Sequence, residues 1–269
     1  MTWLTAALLG VVQGLTEFLP VSSSGHLILV RSFMGWDPDA PTWMSFDIAC
    51  HVGTLIAVFA VFWRDLLRML FALPKAISGT PIEARRVRWI AIGTVPVVIA
   101  GLLGAAKIEE MVRTPKIVAI TLVVGALWMF LAERVGSQAK RENQLTLSDA
   151  FLVGIAQATA LVPGISRSGV TIGAGMLLGF QRAEIARFTF LLSVPAILAA
   201  AGKSGLELRH TGLSPADTQV FLIGMVTSGI VGYAVVKYLL RFLTTHRLDV
   251  FVWYRLALAA AICVWLYGR

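Results

Sequence analysis

Charge is scarce in this chain: only 14% of its 269 residues are Asp, Glu, Lys or Arg, while 57% are hydrophobic. A soluble domain carries about 25% charged residues, so too few are present here to coat a water-facing surface. Cysteine is nearly absent. Cys50 and Cys263 both sit inside apolar runs and read as small packing residues, which excludes a disulfide framework and a metal–thiolate site. A basic leader is missing too. The first apolar stretch runs into Glu17 and Pro20 rather than a small-residue cleavage site, so it reads as part of the fold and not as a signal peptide. No Pro-, Ser- or charge-rich linker divides the chain, which predicts a single membrane domain over residues 1–269.

What the chain has instead is long apolar runs, with a mean hydropathy of +0.79. About 20 apolar residues cross a bilayer, and six such spans are predicted: Phe46–Trp63, Trp89–Ala106, Ile117–Ala132, Ala186–Ala201, Val220–Leu240 and Val250–Leu266. The fold class is therefore all-α and polytopic. The net charge of +8 reads as basic cytoplasmic loops rather than as a nucleic-acid surface, so the bilayer is a partner and nucleic acid is not.

Two more apolar segments, Leu4 to about Val30 and Ala150 to about Leu178, are each interrupted by Pro, Gly and serines. They align at a constant offset of 144 residues, GVVQGLTEFLPVSSSG on GIAQATALVPGISRSG, pairing Gly10 with Gly154, Gln13 with Gln157, Ser22 with Ser166, Ser24 with Ser168 and Gly25 with Gly169. Duplication explains five matches at one register. It divides the domain into repeat 1, about 1–135, and repeat 2, about 148–269. Three crossings separate the broken segments. If each is a re-entrant helix–loop–helix hairpin, the two enter from opposite faces as an inverted-topology repeat, the arrangement in which broken helices meet near the midplane. Fourteen Lys and Arg then fall on one side, among them Arg64, Arg86, Arg134, Arg182 and Arg247. Seven fall on the other: Arg31, Lys107, Arg113, Lys116, Lys203, Arg209 and Arg269. The richer side is expected to be cytoplasmic.

The chemistry concentrates in the two breaks. Gln13 and Glu17, four apart, share a helix face; Pro20 ends the helix; Ser22, Ser23 and Ser24 then precede Gly25, His26 and an apolar run. Serines in that place cap a new helix, whose free amides and positive dipole end bind phosphate. The second copy repeats this with Arg167 where the first has Ser23. Two helix N-termini, hydroxyls on both and a guanidinium able to grip phosphate oxygens bidentately make a diphosphate cradle from Ser22, Ser24, Gly25, Ser166, Ser168 and Gly169. Burying a charge at a helix centre costs about 2.5–3.5 kcal/mol. Glu17 and Arg167 therefore need a partner or a wet cavity; simple mutual neutralisation would leave the duplicated serines unexplained. His26, three residues after Ser23, is the candidate acid–base group. His51 in a span, and His210 and His246 in loops, are weaker candidates. Gly10 and Gly14 read as close-packing positions, Asp47 as an interfacial helix end, and Arg255 beside Tyr254 and Trp253 as an interfacial anchor that could also face the cavity.

Taken together, GLTEFLPVSSSGH and PGISRSG resemble the bacterial undecaprenyl-diphosphatase, or bacitracin-resistance, family over essentially the whole chain. The resemblance implies hydrolysis of undecaprenyl diphosphate to the monophosphate, recycling the lipid carrier of cell-wall synthesis, in the bacterial inner membrane with a site facing the periplasm. It further implies dependence on a divalent cation (Mg or Ca). By position, Ser23 matches the nucleophile, His26 its helper, Glu17 an essential acid and Arg167 the essential arginine, flanked by Ser166 and Ser168. Many members carry Glu where this chain has Gln13. That leaves Gln13 as a substrate-binding candidate and Glu17 as the candidate for either base or metal ligand. The expected partners are the polyprenyl diphosphate lipid and, optionally, a second copy in a homodimer. Phosphatidate-type enzymes are set aside, because SGVTIGAGMLLG after Arg167 lacks their later His and Asp. The rival from another class is a polyprenyl-phosphate transporter or flippase.

Overall fold

The computed structural model describes residues 1–36, 41–77, 79–105, 112–211 and 215–268. Among them are ten α-helices: α1 (Trp3–Thr16), α2 (Ser23–Phe33), α3 (Pro41–Ala72), α4 (Ile82–Ala100), α5 (Pro115–Val135), α6 (Leu147–Thr159), α7 (Arg167–Leu177), α8 (Arg182–Thr211), α9 (Pro215–Phe242) and α10 (Asp249–Tyr267). Six of them, α3, α4, α5, α8, α9 and α10, are long and apolar enough to cross a bilayer; five contain an expected span whole, and the span expected at Trp89–Ala106 starts in α4 and ends at a residue outside the described ones. Their outer faces are apolar as well: Leu127 on α5, Ile230 on α9 and Val264 on α10 are exposed. A helix that is hydrophobic all round needs lipid outside it. The chain is a multi-pass membrane protein.

The two broken segments fold as pairs of short helices, α1–α2 and α6–α7. α1 packs chiefly on α9, and α6 on α4. In both contacts glycine lets the backbones meet. A Cβ on Gly10 would stand 2.0 Å from Thr227 Oγ1, and one on Gly14 would stand 2.7 Å from the Ser228 carbonyl oxygen; a Cβ on Gly154 would stand 2.2 Å from the Gly93 carbonyl oxygen. The close-packing reading of Gly10 and Gly14 therefore holds.

Ion pairs collect the loop charges at the helix ends. Arg86 forks onto Glu142 at 2.6 and 2.9 Å and reaches Asp65 at 3.3 Å, while Arg187 meets Asp65 at 2.6 Å. Glu133 accepts from Arg182, Arg247 and the Leu248 amide. All the basic partners here belong to the side expected to be richer. On the other side, three expectations change. Arg31 is no loop charge: in the last turn of α2, fully buried, it donates two hydrogen bonds to Asp47 and stacks over Trp43. Asp47 is accordingly a buried partner rather than an interfacial helix end, and Arg113 lies 3.4 Å from it. A charge inside an apolar bundle persists only if paired. Helix α8 also runs on to Thr211, so the backbones of Lys203, Arg209 and His210 are helical and not in a loop. Lys107 and Arg269 lie outside the described residues.

Candidate active site

The site begins with two helix starts that share one backbone. Ser22 and Ser166 both have φ 75°, and their side chains accept from the amides of Gly25 and Gly169 at 3.4 and 3.3 Å. A left-handed conformation is uncommon for a residue with a Cβ. It turns the chain from the break into the new helix, leaving the first-turn amides of α2 and α7 without intrahelical acceptors. Ser24 and Ser168 back the caps, 3.4 and 3.3 Å from Ser22 and Ser166. Ser168 further donates to the Leu19 carbonyl at 3.1 Å, tying the second helix start to the first break. Gly25 packs beside Gly164 of the other break: a Cβ there would touch Gly164 Cα at 3.4 Å and press on the Val118 side chain at 3.1 Å.

Arg255 holds the two breaks from beneath. It is fully buried, and its guanidinium donates to five carbonyls: Leu122 (3.0 Å) and Thr121 (3.0 Å) of α5, Pro20 (3.3 Å) of the first break, and Gly164 (2.8 Å) and Ile165 (3.2 Å) of the second. It is therefore a central staple and not an interfacial anchor. Broken helices leave carbonyls that nothing local can satisfy, and five fixed donors meet that need. Thr121 adds a bond to the Pro163 carbonyl at 2.8 Å.

Above this staple, the structure brings Gln13, Glu17, Ser23 and Arg167 together. The Ser23 hydroxyl donates to Glu17 Oε2 at 2.6 Å, and Gln13 Nε2 donates to the same oxygen at 2.9 Å. Arg167 Nη1 lies 3.7 Å from Glu17 Oε1 and has no hydrogen-bond partner among the described residues. Glu17 and Gln13 are buried, whereas Ser23 and Arg167 are half-buried. A hydroxyl on a carboxylate beside a guanidinium with donor capacity to spare can deliver an oxygen nucleophile to a bound phosphate. His26 is placed differently. Its Nδ1 lies 2.7 Å from the Ser22 carbonyl oxygen and its Nε2 lies 2.7 Å from the Tyr254 hydroxyl, so Ser23 is bonded to Glu17 and not to His26.

Ser22, Ser24, Ser166, Ser168, Gly25 and Gly169 thus build the two turns, and Gln13 orients Glu17. On sequence alone His51 is a weak candidate. On α3, its Nδ1 is 2.9 Å from Gln13 Nε2 and 3.4 Å from Glu17 Oε2. A His facing α1 from near the start of a span carries no local signal beyond its own polarity.

By itself the site offers few ligands to a divalent cation. Among the described residues, no three His, Cys, Asp or Glu side chains stand together. Glu17 is the one carboxylate of the site, its Oε2 already takes two hydrogen bonds, and its Oε1 faces a guanidinium. Magnesium is commonly held by one or two carboxylates together with substrate phosphates and waters, so a cation here would take most of its ligands from the diphosphate and from water.

Comparison with known proteins identifies the family. The family model of "Bacitracin resistance protein BacA" matches residues 6–261. A protein of Geotalea daltonii is 42% identical over 97% of both chains, one of Rubrobacter xylanophilus 42% over 98% of both, and one of Geobacter metallireducens 42% over the full length of both. Each of these relatives is named undecaprenyl-diphosphatase. With its six apolar spans, its paired serine-capped helix starts and matches that run nearly end to end, the chain belongs to the bacitracin-resistance protein (BacA) family.

Proposed function

We propose that this protein is a membrane phosphatase that hydrolyses undecaprenyl diphosphate to undecaprenyl phosphate and phosphate, and so recycles the carrier lipid of the cell wall. The observation that carries this reading is the Ser23 hydroxyl bonded to the Glu17 carboxylate at 2.6 Å, facing Arg167. Full-length relatives of that name support the choice of substrate.

Arg167 and the first-turn amides of α2 and α7 hold the terminal phosphate. Ser23 Oγ attacks its phosphorus as Glu17 takes the hydroxyl proton; the bridging P–O bond breaks and undecaprenyl phosphate leaves as the dianion. Water then attacks the phosphoserine. His26 Nε2, once the Tyr254 hydroxyl turns away from it, takes a proton from that water, and the proton held by Glu17 returns to Ser23 as phosphate departs. With both products as dianions, one proton is released per turnover. Most of the catalysis is positioning and charge neutralisation. A divalent cation enters with the diphosphate, as part of the substrate, rather than on the protein's own ligands.

The site lies within an inverted-topology repeat, residues about 1–135 and 148–269, in one membrane domain. Matching helix starts, the mirrored pairing of α1 with α9 and of α6 with α4, and the odd number of spans between the breaks support two re-entrant hairpins entering from opposite faces. The basic ends of α3, α4, α5 and α8 support a cytoplasmic face on that side, a periplasmic mouth for the site, and residence in the bacterial inner membrane. A homodimer is compatible with this arrangement.

The test is phosphate release from undecaprenyl diphosphate by the purified protein in detergent, with and without EDTA. Release is expected, falling with EDTA, while metal analysis of the substrate-free protein finds no stoichiometric cation. A folded protein that binds the lipid and releases no phosphate under any cation would transfer the assignment to a polyprenyl-phosphate transporter.

A further inference from the structure

His51 belongs to neither serine-containing break, yet it completes the hydrogen bonding of the first. Gln13 Nε2 lies 2.9 Å from Glu17 Oε2 and 2.9 Å from His51 Nδ1. An amide nitrogen only donates, so one of its protons goes to the carboxylate and the other to the ring. The opposite amide orientation would set the Gln13 carbonyl oxygen against the carboxylate, acceptor facing acceptor. Glu17 therefore fixes the Gln13 amide, and a Gln13 N–H donated to the ring calls for an accepting Nδ1 with the ring hydrogen on Nε2, although Glu17 Oε2 itself lies 3.4 Å from Nδ1.

We propose that His51 is a positioning residue for the reaction, holding Glu17 Oε2 on the Ser23 hydroxyl through Gln13 and against the pull of Arg167. The inference rests on the Ser23–Glu17 reading above. Glu17 is the first residue beyond α1, and its other oxygen faces Arg167 at 3.7 Å. A carboxylate free to turn would form the bidentate pair with the guanidinium that such groups favour. That pairing would remove the base from Ser23 and the arginine from phosphate together. Gln13 restrains the right oxygen, but Gln13 Oε1 is buried with no partner among the described residues, so the amide has only its nitrogen contacts to hold it.

The post on which His51 stands is rigid. Two residues on, Gly53 packs so closely on α9 that a Cβ would lie 2.1 Å from the Met225 carbonyl oxygen, and Ser228 Oγ of α9 donates to the Cys50 carbonyl at 2.8 Å. Helix α3 is thereby locked in register one residue before and two residues after His51. A displacement of the order of 1 Å costs about 10²-fold in rate where geometry carries the catalysis.

The experiment measures kcat and KM for phosphate release from undecaprenyl diphosphate by the full-length protein, His51→Leu and His51→Gln. His51→Leu is expected to lower kcat by about 10- to 100-fold with KM little changed. His51→Gln, whose carbonyl oxygen can accept from Gln13, is expected to recover most of that loss. Unchanged kcat in His51→Leu, or a loss carried by KM alone, would overturn the proposal. So would a His51→Gln protein as slow as His51→Leu, because ring chemistry rather than hydrogen-bond geometry would then matter. Should His51→Leu not fold, the ¹⁵N spectrum of histidine-labelled wild-type protein decides: the proposal needs a bare Nδ1 on His51, and a protonated Nδ1 sinks it. Absence of phosphate release by the wild type would instead strike the functional reading itself, so the two failures are distinguishable.

Discussion

The break at residues 17–23 and the break at residues 161–167 use the same backbone for different chemistry. Both have a serine at φ 75° capping a helix of 11 residues, with a second serine behind the cap and a glycine accommodated in the first turn. At the offset of 144 residues, however, Glu17 faces Leu161, Ser23 faces Arg167 and His26 faces Val170. One half carries the hydroxyl and the carboxylate, and the other carries the cation. The difference teaches that a duplicated turn can be kept as scaffold while its reactive positions diverge. Backbone geometry is set by the capping serines, and the side chains one residue later are free to specialise. Gln13 and Gln157 illustrate the divergence within a shared residue type. Both are buried, but Gln13 bonds Glu17 and His51, while the amide atoms of Gln157 have no partner among the described residues.

Substitutions that treat the two halves alike or differently sharpen this comparison. The largest effect is expected at the specialised positions: Ser23→Ala and Arg167→Ala should each lower phosphate release by about 10³-fold or more, with folding retained. Near-normal turnover in a folded Ser23→Ala protein would exclude covalent catalysis through that residue. Next comes the element common to both halves. Arg255→Met strands three buried carbonyls in the two breaks, those of Pro20, Gly164 and Ile165, and removes two further bonds to α5; unpaired buried groups cost about 1–3 kcal/mol each before relaxation. Thermal unfolding in detergent should move down by many degrees, and Arg255→Lys should recover only part, since an ammonium has three donors and no planar fork. An unchanged melting temperature would show that the breaks stand without the staple. Smaller still are the packing glycines. Gly10→Ala and Gly154→Ala should each destabilise by about 1–3 kcal/mol through overpacking, and similar losses would mean that the halves bear equal structural weight. Last, the double substitution Leu161→Glu with Val170→His, made in Ser23→Ala protein, should restore no measurable phosphate release. Any recovery would break the claim that the second half supplies charge and not a nucleophile.

The six spans, both helix breaks and the serine caps were legible in the sequence because each depends on neighbours within a turn or two. Pro20 cannot continue a helix, and serine before an apolar run caps one. Glu17, Ser23 and Arg167 stood out because charge and hydroxyls in an apolar segment need a reason. Which group Ser23 pairs with was not legible. Spacing favoured His26 three residues on, but the turn at Ser22 swings the hydroxyl to Glu17 and leaves His26 on Tyr254. Arg31 and Asp47 looked like loop and helix-end charges because sixteen residues separate two groups that meet in the interior.

By itself, the sequence determined a multi-spanning helical membrane protein with a duplicated, serine-capped break and an acid, a hydroxyl and an arginine in place to handle phosphate. Apolar length, proline and capping chemistry act locally, so they can be read in order along the chain. Only the tertiary structure decided that Arg255 is the staple of both breaks and that His51 completes the Glu17 network. Arg255 reaches across 235 residues to Pro20 and 91 to Gly164, and His51 across 38 to Gln13. Those contacts exist because helices far apart in sequence pack side by side, and no periodicity within either helix encodes which neighbour it will meet.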